Sequence, residues 1–293
     1  MRIHLHLGAH KTATTFVQSQ LRRNLGVLKK AGFIFPAQKT FQEGFGRYFN
    51  TLIHAYPFLS VAIAPMLEHR MDAFLAKEKA TSTAILSDEN LAGMLVFNHR
   101  QGGLYRNIDN RMRLMTSVLR KHEVHYFFAI RSYKDFLPSA YLQLATNGRE
   151  PDYQKYLQSF DVEKHGWTEA VGAIAEAVGR ENLTVWTYEA FSRDARKVFE
   201  RLAPGVDLDL EIDDSSRVVL PSMTVKGLKV MQALEGKFSR HELSKISKMM
   251  RRVKFDEPNP RLAIEDVDMI ARLQAAYGRD IDAIGRLGIN LIG

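Results

Sequence analysis

The chain contains no cysteine in 293 residues. Disulfide frameworks, zinc–thiolate centres and thiol nucleophiles are therefore excluded. It also lacks any apolar run near the ~18 residues a membrane span needs; the nearest, Phe58 to Leu67, is interrupted by Pro65. No basic stretch followed by an apolar core opens the chain, so a cytoplasmic protein is expected. Internal repeats, low-complexity tracts and linker-like segments are missing as well, which makes a single domain over residues 1–293 the simplest expectation.

Acidic charge is in deficit. Lys and Arg number 41 against 33 Asp and Glu, a formal net charge of +8 that suggests an anionic partner. The excess is concentrated from Lys237 to Lys254, where Lys237, Arg240, Lys245, Lys248, Arg251, Arg252 and Lys254 face a lone acid, Glu242. Leu243, Ile246, Met249, Met250 and Val253 mark an apolar helix face there, with the basic residues opposite. Such a face is either simply solvated or a cationic wall over a polyanion. Nucleic acid is not favoured, because aromatic interleaving and the known nucleic-acid-binding motifs are missing.

Apolar periodicity alternates between strand and helix for most of the length, the pattern of a mainly parallel sheet wrapped by helices. Strands are expected at Arg2–Leu7, Phe33–Phe35, Thr83–Leu86, Val124–Ile130 and Leu183–Thr187. Helices follow the first strand to about Lys30, run through Met112–Leu119 and through Val171–Val178 with Gly179 as cap, and dominate the C-terminal third. Ser192 is the expected cap of a helix whose inner face is Ala195, Val198, Phe199 and Leu202. Gln38–Pro57, rich in Gly and aromatics without a period, is expected to be loop and to serve as a substrate lid.

The most informative stretch is Gly8-Ala9-His10-Lys11-Thr12-Ala13-Thr14-Thr15, set between the first strand and the first helix. A helix N-terminus offers unpaired N–H groups and the positive dipole end, to which Lys11 adds a charge and Thr12, Thr14 and Thr15 add hydroxyls. The plainer alternative is a surface turn with ordinary caps. The loop fails the G-x-x-x-x-G-K-[ST] pattern, having two residues between Gly8 and Lys11 and no second glycine. In an open α/β sheet, ligands bind beyond the carboxyl ends of strands. Two other strand ends carry suitable groups: Asp88-Glu89, and Arg131 with Ser139 eight residues on.

His6-Leu7-Gly8-Ala9-His10-Lys11-Thr12-Ala13-Thr14-Thr15 resembles the 5′-phosphosulfate loop H-x-G-x-x-K-T-G-T-T of bacterial sulfotransferases that use 3′-phosphoadenosine 5′-phosphosulfate. Ala13 replaces the usual glycine. That substitution fits a first helical turn and is strained where φ is positive. Arg131, Ser139 and Tyr141 are similar to the family's 3′-phosphate site, and Trp186-Thr187-Tyr188-Glu189 to its Y-E-D segment, placing Tyr188 near the adenine. The resemblance spans Met1 to about Ala203. It implies a three-layer P-loop NTPase-like α/β fold and transfer of a sulfuryl group to a hydroxyl or amine by in-line displacement, without a metal. Lys11 would stabilise the leaving group, and Thr12, Ala13, Thr14 and Thr15 would hold the 5′-phosphosulfate.

A general base is required as well. Glu89 is the candidate, with Asp88 its competitor, and either residue has an alternative use as a helix cap. His10, the other histidines and Trp167 are assigned to scaffold, and Arg240 or Lys245 to extra 3′-phosphate contacts. The acceptor, a small molecule or carbohydrate, is expected between Gln38–Pro57 and Asn147–Lys164, against Phe41, Phe45, Tyr48 and Tyr153. Two further readings stay open. One is a magnesium-dependent P-loop kinase or nucleotidase, using Thr12 and Asp88 on the metal. The other is a non-catalytic nucleotide- or polyanion-binding module.

Overall fold

The computed structural model describes all residues except 56–59, 79–81, 146–151, 212–222, 235, 251–252 and 254–261. Its centre is a six-stranded sheet built from β1 (Arg2–His6), β2 (Phe33–Ile34), β3 (Thr83–Ser87), β4 (Glu123–Ile130), β5 (Leu183–Thr187) and β6 (Asn290–Ile292). The spatial order is β2-β3-β1-β4-β5-β6 and every pairing is parallel. β1 lies centrally, with β3 on one side and β4 on the other, so the chain reverses its direction of travel across the sheet at β1. Crevices for ligands open at such a reversal, beyond the strand C-termini.

Both faces of the sheet are buried, which is why its strands are so apolar. Alternate residues diverge to two cores. Ile3, Leu5, Ala84, Leu86, Tyr126, Phe128 and Ile130 enter one of them. There they meet the helices Arg47–Ala55, Ser60–Lys77, Ile108–Val118, Tyr133–Ala145, Trp167–Val178 and Val267–Gly285. Ile85, Phe127, Ala129 and Trp186 enter the other, under the helices Thr14–Arg23, Tyr188–Arg193 and Arg196–Leu202. The molecule is thus α/β, with helices on both sides of a parallel sheet.

Several expectations need correction. Residues 38–55 are helix rather than loop: Gln38–Phe41, a π turn at Gln42–Gly46, then Arg47–Ala55. Phe41, Phe45, Phe49 and Ile53 recur every four residues and are buried. Four-residue spacing drifts around an α-helix of 3.6 residues per turn, and the wider π turn absorbs that drift. Each buried Phe contributes about 1.5–3 kcal/mol, against about 1 kcal/mol lost at each helical glycine. Packing wins. Gly44 and Gly46 are sites of close approach: a Cβ would stand 2.4 Å from Phe74 Cδ2 at the first and 2.7 Å from Asp88 Oδ2 at the second. Phe41 and Phe45 are therefore core, not acceptor-pocket walls.

Ser192 caps nothing here, since it lies inside the helix Tyr188–Arg193. Asp194 accepts the Arg196 N–H at the start of the next helix instead. The first helix breaks at Asn24, whose side chain bonds the carbonyls of Gln20 and Asp209. The basic helix exists as Arg240–Met250, with Leu243 buried. Met249 and Val253, expected on its apolar face, are exposed. Arg251, Arg252, Lys254, the Arg240 side chain and residues 147–151 lie outside the described residues. β6, with only three residues, gave no usable period. Among the described residues no helix is long and apolar enough to cross a membrane.

Candidate functional site

The β1–helix loop is an unusual backbone. Gly8, Lys11 and Ala13 all have positive φ, at 49°, 65° and 67°. Gly8 has no substitute, because a Cβ there would stand 2.6 Å from Thr14 Oγ1. Ala13 is left-handed at the very start of the helix Thr14–Arg23, so the family-like glycine position is the strained one, not a first helical turn. That helix has no side-chain N-cap and no acid in its first turn. Its terminal N–H groups and dipole are open to an anion.

The threonines do not all face outward. Thr12 donates its hydroxyl to the Ala9 carbonyl at 2.5 Å, and Thr14 leans on the same oxygen at 3.4 Å. They brace the loop, while Thr15 is exposed. Beneath them His6 is buried, stacked on Trp186 and bonded through Nδ1 to Ser87 Oγ at 2.9 Å. Gln18 donates to that same Oγ at 3.0 Å, so Ser87 joins the ring to the first helix. Burial lowers the His6 pKa to about 3, so its ring is neutral.

His10 is buried and structural. Its N–H donates to Tyr105 Oη at 2.9 Å, its Nδ1 meets the same oxygen at 3.0 Å, and Nε2 faces Asn90 Oδ1 at 3.4 Å. Burial lowers its pKa to about 4. A neutral ring protonated on Nε2 satisfies all three contacts. His10 thereby ties the loop to the turn after β3.

That turn carries both carboxylates. Asp88 is fully buried and caps the short 3₁₀ turn Glu89–Leu91, accepting from the Asn90 N–H at 3.1 Å and from Gln42 Nε2 at 3.0 Å. Glu89 is half-buried and accepts from Gln38 Nε2 at 3.2 Å. Burial raises the pKa of Glu89, and the charge of Lys11 partly offsets the rise. Arg111 clamps the turn, donating through Nε to the Leu91 carbonyl and through Nη2 to that of Asn90, both at 2.8 Å. Gln38, Gln42 and Arg111 carry no signal in the sequence, because no motif or period marks them.

The end of β4 closes the other side. Arg131 donates through Nη1 to the Lys11 carbonyl at 2.8 Å, and its guanidinium lies 4.4 Å from the centre of the Tyr188 ring. Its Nε is buried without a hydrogen-bond partner among the described residues. Trp167 Nε1 donates to the Arg131 carbonyl at 2.8 Å. A narrow slot lined by Ala13, Phe16, Tyr188, Phe191, Ser192 and Ala195 runs beside the loop. Ser139 sits half-buried in the helix Tyr133–Ala145.

The structure therefore brings Lys11, Ala13, Glu89, Arg131 and Tyr188 around one strand-end crevice. Lys245 and Lys248 are exposed on the basic helix. A larger apolar cavity of about 330 Å³, lined by Tyr48, Leu52, Met66, Leu67 and Arg70 among others, lies elsewhere. Gly46 and Asn50 turn one side of their helix to Asp88 and Arg111, while Tyr48 and Leu52 lie on the opposite side. No group of three or more His, Cys, Asp or Glu suited to hold a metal occurs among the described residues. Comparison with protein-family models, curated proteins and solved structures found no match to this chain.

Proposed function

We propose that the protein is a sulfotransferase with a P-loop-like fold, taking its sulfuryl group from 3′-phosphoadenosine 5′-phosphosulfate. The observation that carries the reading is Arg131. A guanidinium bonded to the Lys11 carbonyl, lying over Tyr188 and left with a buried Nε–H that has no partner among the described residues is a donor lacking an acceptor. It stands beside an uncapped helix N-terminus, a second group of the same polarity. A nucleotide with two separated anionic groups and an aromatic base suits that combination, with the base near the Tyr188 ring.

In this reading the N–H groups from Lys11 to Thr15 hold the 5′ anion, and Arg131 with Ser139 holds the 3′-phosphate. The nucleotide supplies an activated sulfuryl group. Lys11 neutralises charge growing on the leaving oxygen. Glu89 takes the acceptor's proton, a role suited to a carboxylate whose pKa burial has raised. Asp88 holds the turn that aims Glu89.

The test is titration with adenosine 3′,5′-bisphosphate and with ADP, each with and without Mg²⁺. Tight binding of the bisphosphate, indifferent to metal, supports the sulfotransferase. Preference for ADP with Mg²⁺ replaces it with a kinase or nucleotidase, and binding of neither leaves a polyanion module without transfer.

A further inference from the structure

Arg131 does not hold its position alone. Glu189, one residue past Tyr188, accepts the Ser132 N–H through Oε1 at 3.0 Å. Its Oε2 accepts the Tyr277 hydroxyl at 2.7 Å. The bond to Ser132 joins the end of β4, which carries Arg131, to the end of β5, which carries Tyr188. Tyr277 belongs to the C-terminal helix Val267–Gly285, beyond the span of the family resemblance. That helix is anchored a second time. Its buried Asp280 accepts from the Tyr133 hydroxyl, from Thr168 Oγ1 at 2.5 Å, and from the Trp167 and Thr168 N–H groups at 3.3 Å. Trp167 in turn donates its indole N–H to the Arg131 carbonyl. The backbone of Arg131 is thus gripped from both sides, by Trp167 at its carbonyl and by Glu189 at the following amide.

We propose that Glu189 is a positioning residue of the anion site, holding the Arg131 and Tyr188 strand ends in register, and that Tyr277 of the C-terminal helix orients it. A carboxylate bonding a backbone N–H makes a charge-assisted bond, stronger and more directional than a neutral one. With both oxygens engaged, Glu189 has little freedom to turn its charge onto Arg131 and compete with a bound anion. The C-terminal helix becomes part of the site without touching the ligand. The consequence for binding rests on the nucleotide reading above; the consequence for the backbone does not.

The variants are Glu189→Ala, Glu189→Gln and Tyr277→Phe, each measured two ways. The first measurement, without ligand, is NMR hydrogen exchange at the Ser132 amide, with the β1–β3 ladder amides as a control for folding. The second is affinity for adenosine 3′,5′-bisphosphate. Glu189→Ala should speed Ser132 exchange and weaken binding roughly tenfold to a hundredfold, the range for losing a charge-assisted bond. Glu189→Gln keeps an oxygen acceptor for the Ser132 N–H but loses the charge and turns an amide donor towards the Tyr277 oxygen, so it should recover only part of the loss. Tyr277→Phe, which removes one oxygen and leaves the core intact, should speed Ser132 exchange as well. The proposal is overturned if Ser132 exchange in Glu189→Ala matches the parent, or if it rises with affinity unchanged. If the parent binds no bisphosphate, the donor reading falls and the exchange result alone decides the positioning role.

Discussion

Arg131 covers the carbonyl of Lys11, its Nη1 donating at 2.8 Å across the gap between β4 and the loop. A bare carbonyl dipole inside an anion loop would repel the ligand, and the guanidinium cancels it while keeping other donors free. Lysine offers one compact charge and no planar fork, so it cannot bond the carbonyl, stack on Tyr188 and meet a phosphate together. Arg131→Lys should therefore lose at least about tenfold in bisphosphate affinity by calorimetry, the order of one charged hydrogen bond. Affinity equal to the parent would show that only charge matters here.

Ala13 is a stability defect retained in the loop. A left-handed non-glycine residue costs roughly 1–2 kcal/mol, and glycine returns part of this as greater freedom in the unfolded chain. Ala13→Gly should gain about 1 kcal/mol, a rise of roughly 2–4 °C in Tm. Thermal unfolding checks it, and a fall in Tm would mean that packing of the methyl group beside Phe16 outweighs backbone strain.

Glu89→Gln should abolish transfer to any acceptor found while leaving bisphosphate affinity near the parent value. The base must be ionised, so the parent's rate should fall as pH drops through a pKa held above the ordinary carboxylate range. The stability sign is opposite to that of a salt-bridged acid. A raised folded pKa means that ionised Glu89 disfavours folding above that pKa, so Glu89→Gln should be as stable as the parent at neutral pH, or more so. Full turnover in Glu89→Gln would move the base elsewhere.

Gly46→Ala tests how the helix 38–55 is seated. The new Cβ would stand 2.7 Å from Asp88 Oδ2, and the helix must retreat. Overpacking of this kind costs about 1–3 kcal/mol. It should also pull Gln42 from Asp88 and Gln38 from Glu89, lowering kcat more than it raises KM. A parent-like Tm would show that the contact yields easily.

What could be read from the sequence follows from the range of each signal. β4 and β5 are apolar runs with clear ends, and the strand–Gly–Lys–Thr–helix junction is local, so both were legible. The helix 38–55 was hidden because Gly44 and Gly46 signal a break locally but serve tertiary contacts with Phe74 and Asp88. The roles of His10, Glu189 and Tyr277 depend on partners 80 to 95 residues away, at Asn90, Tyr105 and across the β5–C-terminal helix contact. No period encodes such pairings. Ala13's left-handed backbone was likewise invisible, since alanine argues for a helical turn until the chain geometry is seen.

Buried neutral histidines should make the fold acid-sensitive. Buried His6 and His10 and half-buried His125 have pKa values lowered by desolvation to about 3, 4 and 4. In the unfolded chain each binds a proton near pH 6.5. The unfolded state therefore holds more protons below that pH, and the stability present above pH 6.5 is lost progressively as pH falls towards 4. The raised carboxylates of Asp88 and Glu89 act in the opposite sense but involve fewer groups. Tm should drop steadily from pH 7 to pH 4.5; a flat profile would contradict the buried, neutral state of these rings.

The most direct measurement is the ratio of affinities for adenosine 3′,5′-bisphosphate and adenosine 5′-monophosphate, in the parent and in Arg131→Ala. The two ligands differ only in the 3′-phosphate assigned to Arg131. The account expects the parent to prefer the bisphosphate by roughly tenfold or more, as for one charged phosphate contact, and the preference to collapse towards unity in Arg131→Ala. An equal affinity for both ligands in the parent, or a preference that survives the substitution, would contradict the central assignment.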